Sequence, residues 1–198
     1  MSKSMKALIA AFLVLACSCS KDALNPGPVN TQIKSNVTSQ LAAHFVGEHF
    51  GGGIIFYLDS AGQHGLIADE TDLGEYTWRP DNIITITGAT KTGLGSGKSN
   101  TRKIIRSQGM SGTYAALACI NSTKAGYTDW YLPSKGELKA LYFRRAVIGG
   151  FSLTEYWSST EVNGNSADYA AWTQSFDTGG EGNNYKYASL PIRAIRSF

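Results

Sequence analysis

The 198-residue chain carries 18 basic and 15 acidic residues, a formal net charge of +3. Lys3 and Lys6 belong to an N-terminal targeting segment, so 18 − 2 = 16 basic residues face 15 acidic residues in the rest of the chain. A charge balance this close to neutral does not favour a nucleic-acid-binding protein.

The N-terminal segment has the layout of a bacterial lipoprotein signal. Positive charges precede an apolar run at residues 7–16, which is too short to span a bilayer permanently. Cys17 and Cys19 follow this run, and the sequence before each resembles a lipobox. Cys19 is followed by Ser-Lys-Asp at residues 20–22, which resembles the export signature after the lipid-bearing cysteine of Bacteroidota surface lipoproteins. We therefore expect residues 1–19 to be a signal peptide and lipobox, with Cys19 or Cys17 carrying the lipid. The protein would then be anchored to the outer membrane of the cell envelope, facing the cell surface or the periplasm.

A polar spacer separates this signal from one domain. Residues 20–45 are rich in Ser, Thr, Asn and Gln, which predicts a flexible linker. Residues 46–198 are sufficient for one domain with a sizeable core. In this domain, the runs at residues 52–58 and 64–68 predict a β-hairpin, and residues 83–87 predict another strand.

The second half of the domain combines helix and strand signals. Residues 112–120 have small and apolar side chains at helical spacing. Ser134 and Glu137 have the spacing of a capping box, which predicts a helix from there through Tyr142. Strand candidates follow at residues 156–159, 170–176 and 190–196. Short antiparallel strands with two main helices predict an α+β fold.

Several motifs occur together in a characteristic order. They are residues 46–59, residues 62–68, residues 95–101, the segment GYTDWYLPSKGEL at residues 126–138, residues 156–160, Trp172 with Phe176, and residues 193–196. This series resembles the lectin-like domain family typified by the C-terminal domain of a Legionella collagen-like adhesin. The resemblance implies a C-type-lectin-like fold that serves adhesion or ligand binding and has no enzymatic activity. Some relatives carry a cysteine where this chain has Ala194, so Cys119 lacks the partner that a lectin-like disulfide would use.

A glycine-rich stretch nearly matches the phosphate-binding P-loop. Residues 92–99 have Lys98 in the lysine position but Thr92 in place of the first glycine. Because little nucleotide is present outside the cytoplasm, we expect no nucleotide partner. The stretch instead predicts a turn that enters a helix at Asn100 or Thr101.

A basic cluster follows, formed by Lys98, Arg102, Lys103 and Arg106. If residues 100–107 are helical, Arg102 and Arg106 share one face. Such a face is suited to sulfated or otherwise acidic glycans, although a charge run is also typical of a solvated surface.

Two loops are rich in oxygen ligands. Residues 163–168 and 177–184 contain Asp, Asn and Glu, including Asp177, Glu181 and Asn183. These residues are candidates for binding a ligand or calcium, but they lack EF-hand spacing, and Gly, Asn and Asp are equally the residues of hairpin turns. No other cofactor is expected.

The remaining candidates favour structural roles. His44, His49 and His64 have no zinc-binding spacing, and Cys119 lies in an apolar helix pattern where a thiol is usually inert. Core positions are predicted for the aromatic residues Trp130, Tyr131, Trp157 and Trp172.

Two functions therefore remain open. The first is a lectin-like domain that binds an extracellular glycan or protein, and the second is a structural accessory subunit of an envelope or pilus-like assembly. Exposed aromatic and basic residues on one face would favour the first, whereas a broad apolar patch would favour the second.

Overall fold

The structure, a computed structural model, describes residues 43–81 and 83–198. The predicted signal peptide and lipobox, and the linker up to residue 42, lie outside the described residues. Within them, nine β-strands and three α-helices form an α+β fold, as the sequence predicts. None of these helices is long and apolar enough to cross a membrane.

The strands of the described region form three antiparallel sheets. The first has the order β1 (His49–Phe50), β2 (Gly53–Leu58), β3 (Gly65–Ala68), β9 (Ile195–Ser197); the second pairs β4 (Gly74–Tyr76) with β8 (Leu190–Ile192); the third has the order β5 (Glu155–Glu161), β6 (Ala170–Ser175), β7 (Glu181–Tyr185). Because β9 pairs with β3, the last strand closes the same sheet as the first three.

The predicted hairpin is confirmed as β2 and β3. All four residues of β3 and the first four of β2 are buried, which fits their short continuous apolar runs. The two strands approach so closely that a Cβ at Gly53 would collide with the carbonyl oxygen of Ala68. Glycine is therefore required at this position.

The three helices are α1 (Gly97–Gln108), α2 (Ala115–Ile120) and α3 (Lys135–Ile148). The capping box at the start of α3 is confirmed, because the Ser134 side chain accepts from the Glu137 amide and the Glu137 carboxylate accepts from the Ser134 amide. In the packed domain, α3 lies against β2 and β6, and α1 lies against β5.

Two helix starts differ from the prediction. α1 begins at Gly97, before the predicted start at Asn100 or Thr101. α2 begins at Ala115 rather than at residue 112. Gly112 has a φ of 83°, which is not helical, and Tyr114 has an extended backbone, so the helix cannot start before Ala115.

Residues 83–87 do not form the predicted strand. Ile84 and Ile86 are 73% and 61% exposed. The Thr87 amide donates to the carboxylate of Glu161, at 2.9 and 3.0 Å, instead of to a neighbouring strand. The alternating β-branched pattern was misleading because a distant side chain supplies the acceptor that a strand would otherwise provide.

The loop predicted at residues 177–184 is only partly a loop. Glu181 and Asn183 belong to β7, where they lie opposite Gln174 and Trp172 of β6. Gly and Asn are unfavourable in strands, so composition alone predicted a turn. Pairing with β6 overrides this preference and confines the turn to the residues between the two strands.

The strand predicted at residues 190–196 is split into β8 and β9. Arg193, between them, is completely buried. Its Nε donates to Asp72 Oδ1 at 2.7 Å, and its Nη1 donates to the Asp69 carbonyl oxygen at 2.9 Å. These bonds hold the chain where it leaves one sheet for another.

The core consists of two clusters of buried side chains. One contains Trp78, Trp130 and Trp157, and the other contains Phe56, Tyr131, Leu138, Leu141, Tyr156 and Phe176. The predicted core positions of Trp130, Tyr131 and Trp157 are therefore confirmed. Trp172 is only partly buried.

Candidate ligand-binding cleft

The glycine-rich loop before α1 encloses a carboxylate of the chain itself. Gly95 and Gly97 donate their backbone amides to Glu137 Oε1 and Oε2, at 2.9 and 3.0 Å. Ser134 Oγ donates to the carbonyl oxygen of Gly93 at 2.8 Å. The amides that a P-loop would direct at a phosphate therefore bind Glu137, and the loop joins α1 to the start of α3.

Glu137 is completely buried at this junction. Burial raises the pKa of its carboxyl, although the hydrogen bonds from Ser134, Gly95 and Gly97 act in the opposite direction. A Cβ at Gly97 would collide with Glu137 Oε2 and with the Leu132 carbonyl oxygen, so the approach depends on glycine. The close packing fixes the first turn of α1, which carries Lys98.

Lys98 and Arg102 lie one turn apart on α1 and line a surface cleft of about 310 Å³. The other side of the cleft is formed by residues 128–131 and by Ile120 at the end of α2. In the described part of the chain, no carboxylate lies within 4.0 Å of Lys98, Arg102 or Arg106. Arg106, a further turn along α1, is exposed. Among the described residues, none of these three cations therefore has an ion-pair partner.

Lys103, the fourth member of the predicted basic cluster, has a different role. Its Nζ donates to the carbonyl oxygen of Gly88 at 2.6 Å. This bond ties α1 to the segment that follows residue 83. The candidate basic face is thus reduced to Lys98, Arg102 and Arg106.

The wall opposite α1 contains one acidic residue, Asp129, among the lining residues that the structure describes. Arg196 holds its carboxylate with two hydrogen bonds, from Nε at 2.7 Å and from Nη2 at 3.3 Å. The Arg196 guanidinium also lies 3.8 Å from the ring centre of Tyr127. Because this bidentate pair neutralises Asp129, the cleft keeps the positive charge of Lys98 and Arg102.

Asp177, Glu181 and Asn183 have a different setting from the one predicted for oxygen ligands. Asp177 lies in a turn, while the Glu181 carboxylate lies 3.4 Å from Lys135 Nζ and 3.3 Å from Lys139 Nζ. Burial tends to raise the pKa of Glu181, but the two lysines outweigh it and the net pKa is lowered. Nowhere in residues 43–81 or 83–198 are three His, Cys, Asp or Glu side chains grouped as they would be around a metal ion. The contacts with Lys135 and Lys139 neutralise the Glu181 carboxylate.

Exposed aromatic residues form a surface feature that the sequence analysis missed. The rings of Tyr185 and Tyr187 are stacked, 5.3 Å apart and within 4° of parallel, and Tyr169 lies 5.8 Å from Tyr185. The available signal in the sequence was the close spacing of Tyr185 and Tyr187. Tyr185 is the last residue of β7, and Tyr187 lies in the turn that follows it. Beside them in sequence, Lys186 points the other way and is buried.

Two of the three histidines have carboxylate partners, and the cysteine is buried. His44 Nδ1 lies 3.0 Å from Glu48 Oε2, and His49 Nδ1 lies 3.0 Å from Glu70 Oε1. Cys119 is a free, buried cysteine, and burial raises the pKa of its thiol. A thiol that ionises so poorly is not a reactive nucleophile.

Comparison with known families finds a match for most of this domain. Residues 72–196, more than half of the chain, match the Lcl C-terminal domain. The matched range includes both walls of the cleft but begins after β3, so the opening motif at residues 46–68 lies outside it. No curated protein matches the chain.

Proposed function

The chain belongs to the Lcl C-terminal domain family, and on this basis we propose that it is a non-catalytic adhesion domain with a C-type-lectin-like fold. Its ligand is an acidic glycan, bound in the cleft between α1 and residues 128–131. The observation that carries this proposal is the pair Lys98 and Arg102 on one side of a cleft, two cations for which the described residues supply no carboxylate within 4.0 Å.

The chemistry of the cleft suits a sulfated or carboxylated sugar. Arg102 can bind such a group with two parallel hydrogen bonds, and Lys98 contributes a point charge. Thr128 adds a hydroxyl for polar contacts with the sugar. The volume lies at the lower end of the roughly 300–1,000 Å³ that is common for small-molecule sites. One unit of a longer glycan therefore fits inside, and Arg106 is placed to meet the continuing chain.

Retention on a heparin column tests this proposal. The wild type should bind at low ionic strength and elute as salt screens the interaction. The double variant Lys98→Ala/Arg102→Ala should elute at clearly lower salt, and adding Arg106→Ala should weaken retention further.

A matched control distinguishes binding in the cleft from nonspecific electrostatic attraction between the protein and heparin. Lys91→Ala/Arg144→Ala also removes one lysine and one arginine, both exposed and neither lining the cleft. The control should elute close to the wild type. Equal losses in the two double variants, or a wild type that passes through the column at low salt, would overturn the proposal.

We further propose that the protein is exported and anchored through lipid at Cys19 or Cys17. The support is the order of positive charges, short apolar run and cysteine in residues 1–19. The anchor places the domain at the outer membrane, facing the cell surface or the periplasm. A polar linker between anchor and domain would let the cleft reach an extracellular glycan or protein.

A second candidate is a structural accessory subunit of an envelope assembly. It is favoured by a groove of about 620 Å³ between α3 and β2, lined by Val46, Phe56, Tyr57, Leu58, Ala140, Phe143 and Arg144. Phe143 is 67% exposed, and Val147 on the same helix is 51% exposed. Phe143 and Val147 are four residues apart and therefore share one face of the helix, and exposed apolar side chains grouped in this way are typical of contact surfaces. Light scattering on the purified protein tests this candidate, since assembly through the groove should be lost in Phe143→Ser.

A further inference from the structure

Helix α3 carries apolar side chains on two faces. The inner face is buried in the core and includes Leu138, Leu141 and Ile148. The other face, here called the outer stripe, consists of residues spaced three or four apart, namely Ala140, Phe143, Ala146 and Val147. Phe143 and Val147 are each more than half exposed. Because one apolar face is enough to hold a helix on a core, the outer stripe is available to a partner.

Two cations border the outer stripe. Arg144 lines the groove beside Phe143, and among the described residues no carboxylate lies within 4.0 Å of its guanidinium. Lys139 lies one turn before Phe143 and shares the Glu181 carboxylate with Lys135. Because one carboxylate serves two lysines, a positive charge remains there. Apolar side chains bordered by cations are typical of helices that lie on an anionic bilayer.

The chain enters the domain beside the outer stripe. Val46 lines the same groove as Phe143, and a Cβ built on Gly47 would lie only 2.9 Å from Val147 Cγ1. Phe45, which precedes them, is 64% exposed. The linker from the proposed anchor at Cys19 or Cys17 therefore joins the domain at this face. A tether raises the effective concentration of whatever it is attached to, so the membrane is the partner kept closest to the stripe.

We propose that the outer stripe lies on the anionic lipid surface to which the chain is anchored. Phe143 and Val147 enter the boundary between headgroups and acyl chains, and Lys139 and Arg144 meet the lipid phosphates. A second copy fits this face less well, because a two-fold contact would bring the cations of both copies together. The inference rests on the proposed membrane anchoring and goes beyond it, since a domain on a linker need not touch the lipid.

Quenching of tryptophan fluorescence by brominated lipid tests this contact in the full-length protein. Phe143→Trp places a reporter in the outer stripe, and Tyr187→Trp places a matched reporter on another aromatic residue that is exposed to a similar extent. Each variant is reconstituted into vesicles of equimolar phosphatidylglycerol and brominated phosphatidylcholine. Bromine quenches on contact, so quenching beyond that of the wild type should appear in Phe143→Trp and be nearly absent in Tyr187→Trp.

Charge variants test the role of the two cations. Adding Lys139→Gln/Arg144→Gln to the Phe143→Trp protein should reduce quenching, and so should vesicles that lack phosphatidylglycerol, because the attraction between cations and headgroups is lost. Lys91→Gln/Arg106→Gln is the matched control. It also removes one lysine and one arginine, both exposed and neither on α3, and it should leave the quenching of Phe143→Trp unchanged.

Three results would overturn the proposal: no added quenching in Phe143→Trp, equal quenching in Phe143→Trp and Tyr187→Trp, or quenching that neither the charge variant nor the lipid composition changes. If the first result came with self-association that Phe143→Ser abolishes, the outer stripe would be an assembly surface. Failure of the anchor is a separate outcome, because it appears as a missing acyl group on Cys19 and Cys17. The reporters respond only to lipid at the stripe, whichever part of residues 1–19 holds the chain in the vesicle.

Discussion

Lys186 and Glu161 form an ion pair in which both side chains are completely buried, with Nζ 2.6 Å from Oε1. The Glu161 carboxylate also accepts from the amides of Thr87 and Gly88. Lys186 donates in addition to the carbonyl oxygen of Ala167. The pair thereby fastens the irregular segment after residue 83 to β5 and to the end of β7.

Breaking this pair should cost far more stability than breaking an exposed one. Lys186→Met leaves the Glu161 charge buried without a counter-charge, so the free energy of unfolding should fall by about 3–5 kcal/mol. Lys139→Met, which breaks a partly exposed pair with Glu181, should cost at most about 1 kcal/mol. Urea denaturation of both variants provides the comparison. Similar losses in the two would show that the buried pair is not a main support of the segment.

The same region shows where sequence patterns lose their predictive power. The hairpin of β2 and β3 and the capping box at Ser134 were predictable because their signals are local, a run of apolar residues or a spacing of three. The Thr87 amide is bound by Glu161, 74 residues away, and no local pattern announces such a partner. Likewise, β7 is a strand because it pairs with β6, and the sequence of β7 by itself does not indicate this pairing.

The candidate binding cleft also has one part that local sequence predicts and one part that it does not. Helical spacing predicted that Arg102 and Arg106 share a face, but the opposite wall around Asp129 comes from another part of the chain and needed the structure.

Ser134 provides a prediction about the start of α3. Its Oγ accepts from the Glu137 amide and donates to the Gly93 carbonyl oxygen. Ser134→Ala should therefore lower the free energy of unfolding by about 1–2 kcal/mol, the upper part of the range for a lost N-cap. Ser107→Ala, an exposed position in α1, is the matched control and should have little effect in the same denaturation experiment. Heparin retention should not change, and a selective loss of retention at unchanged stability would instead place Ser134 in the binding site.

Glu181 should show a pH-dependent interaction with its two lysines. Burial raises its pKa, but Lys135 and Lys139 outweigh this effect, so the pKa in the folded protein lies below its ordinary value of 4.5. Because the folded pKa is lowered, the stabilising contribution is complete above the unfolded pKa and is lost as the pH falls through the folded pKa. Carboxyl NMR titration should show a higher pKa in Lys139→Met. Lys124→Met, which removes a lysine that pairs with Asp69, should leave the Glu181 titration unchanged, and an equal shift in both variants would argue against the contact.

The three cysteines of the chain allow a sharp test of the lipid anchor. Metabolic labelling with a palmitate analogue should mark the wild type, because an acyl chain on Cys19 or Cys17 is the expected attachment to the membrane. Cys17→Ser and Cys19→Ser, made separately, identify the acylated position, since only one of them should lose the label. Cys119→Ser is the matched control: this thiol is buried and poorly ionised, so its loss should leave the label intact. If the double variant Cys17→Ser/Cys19→Ser still carried the label, the lipoprotein interpretation would fail, and the apolar run before Cys17 would need another explanation.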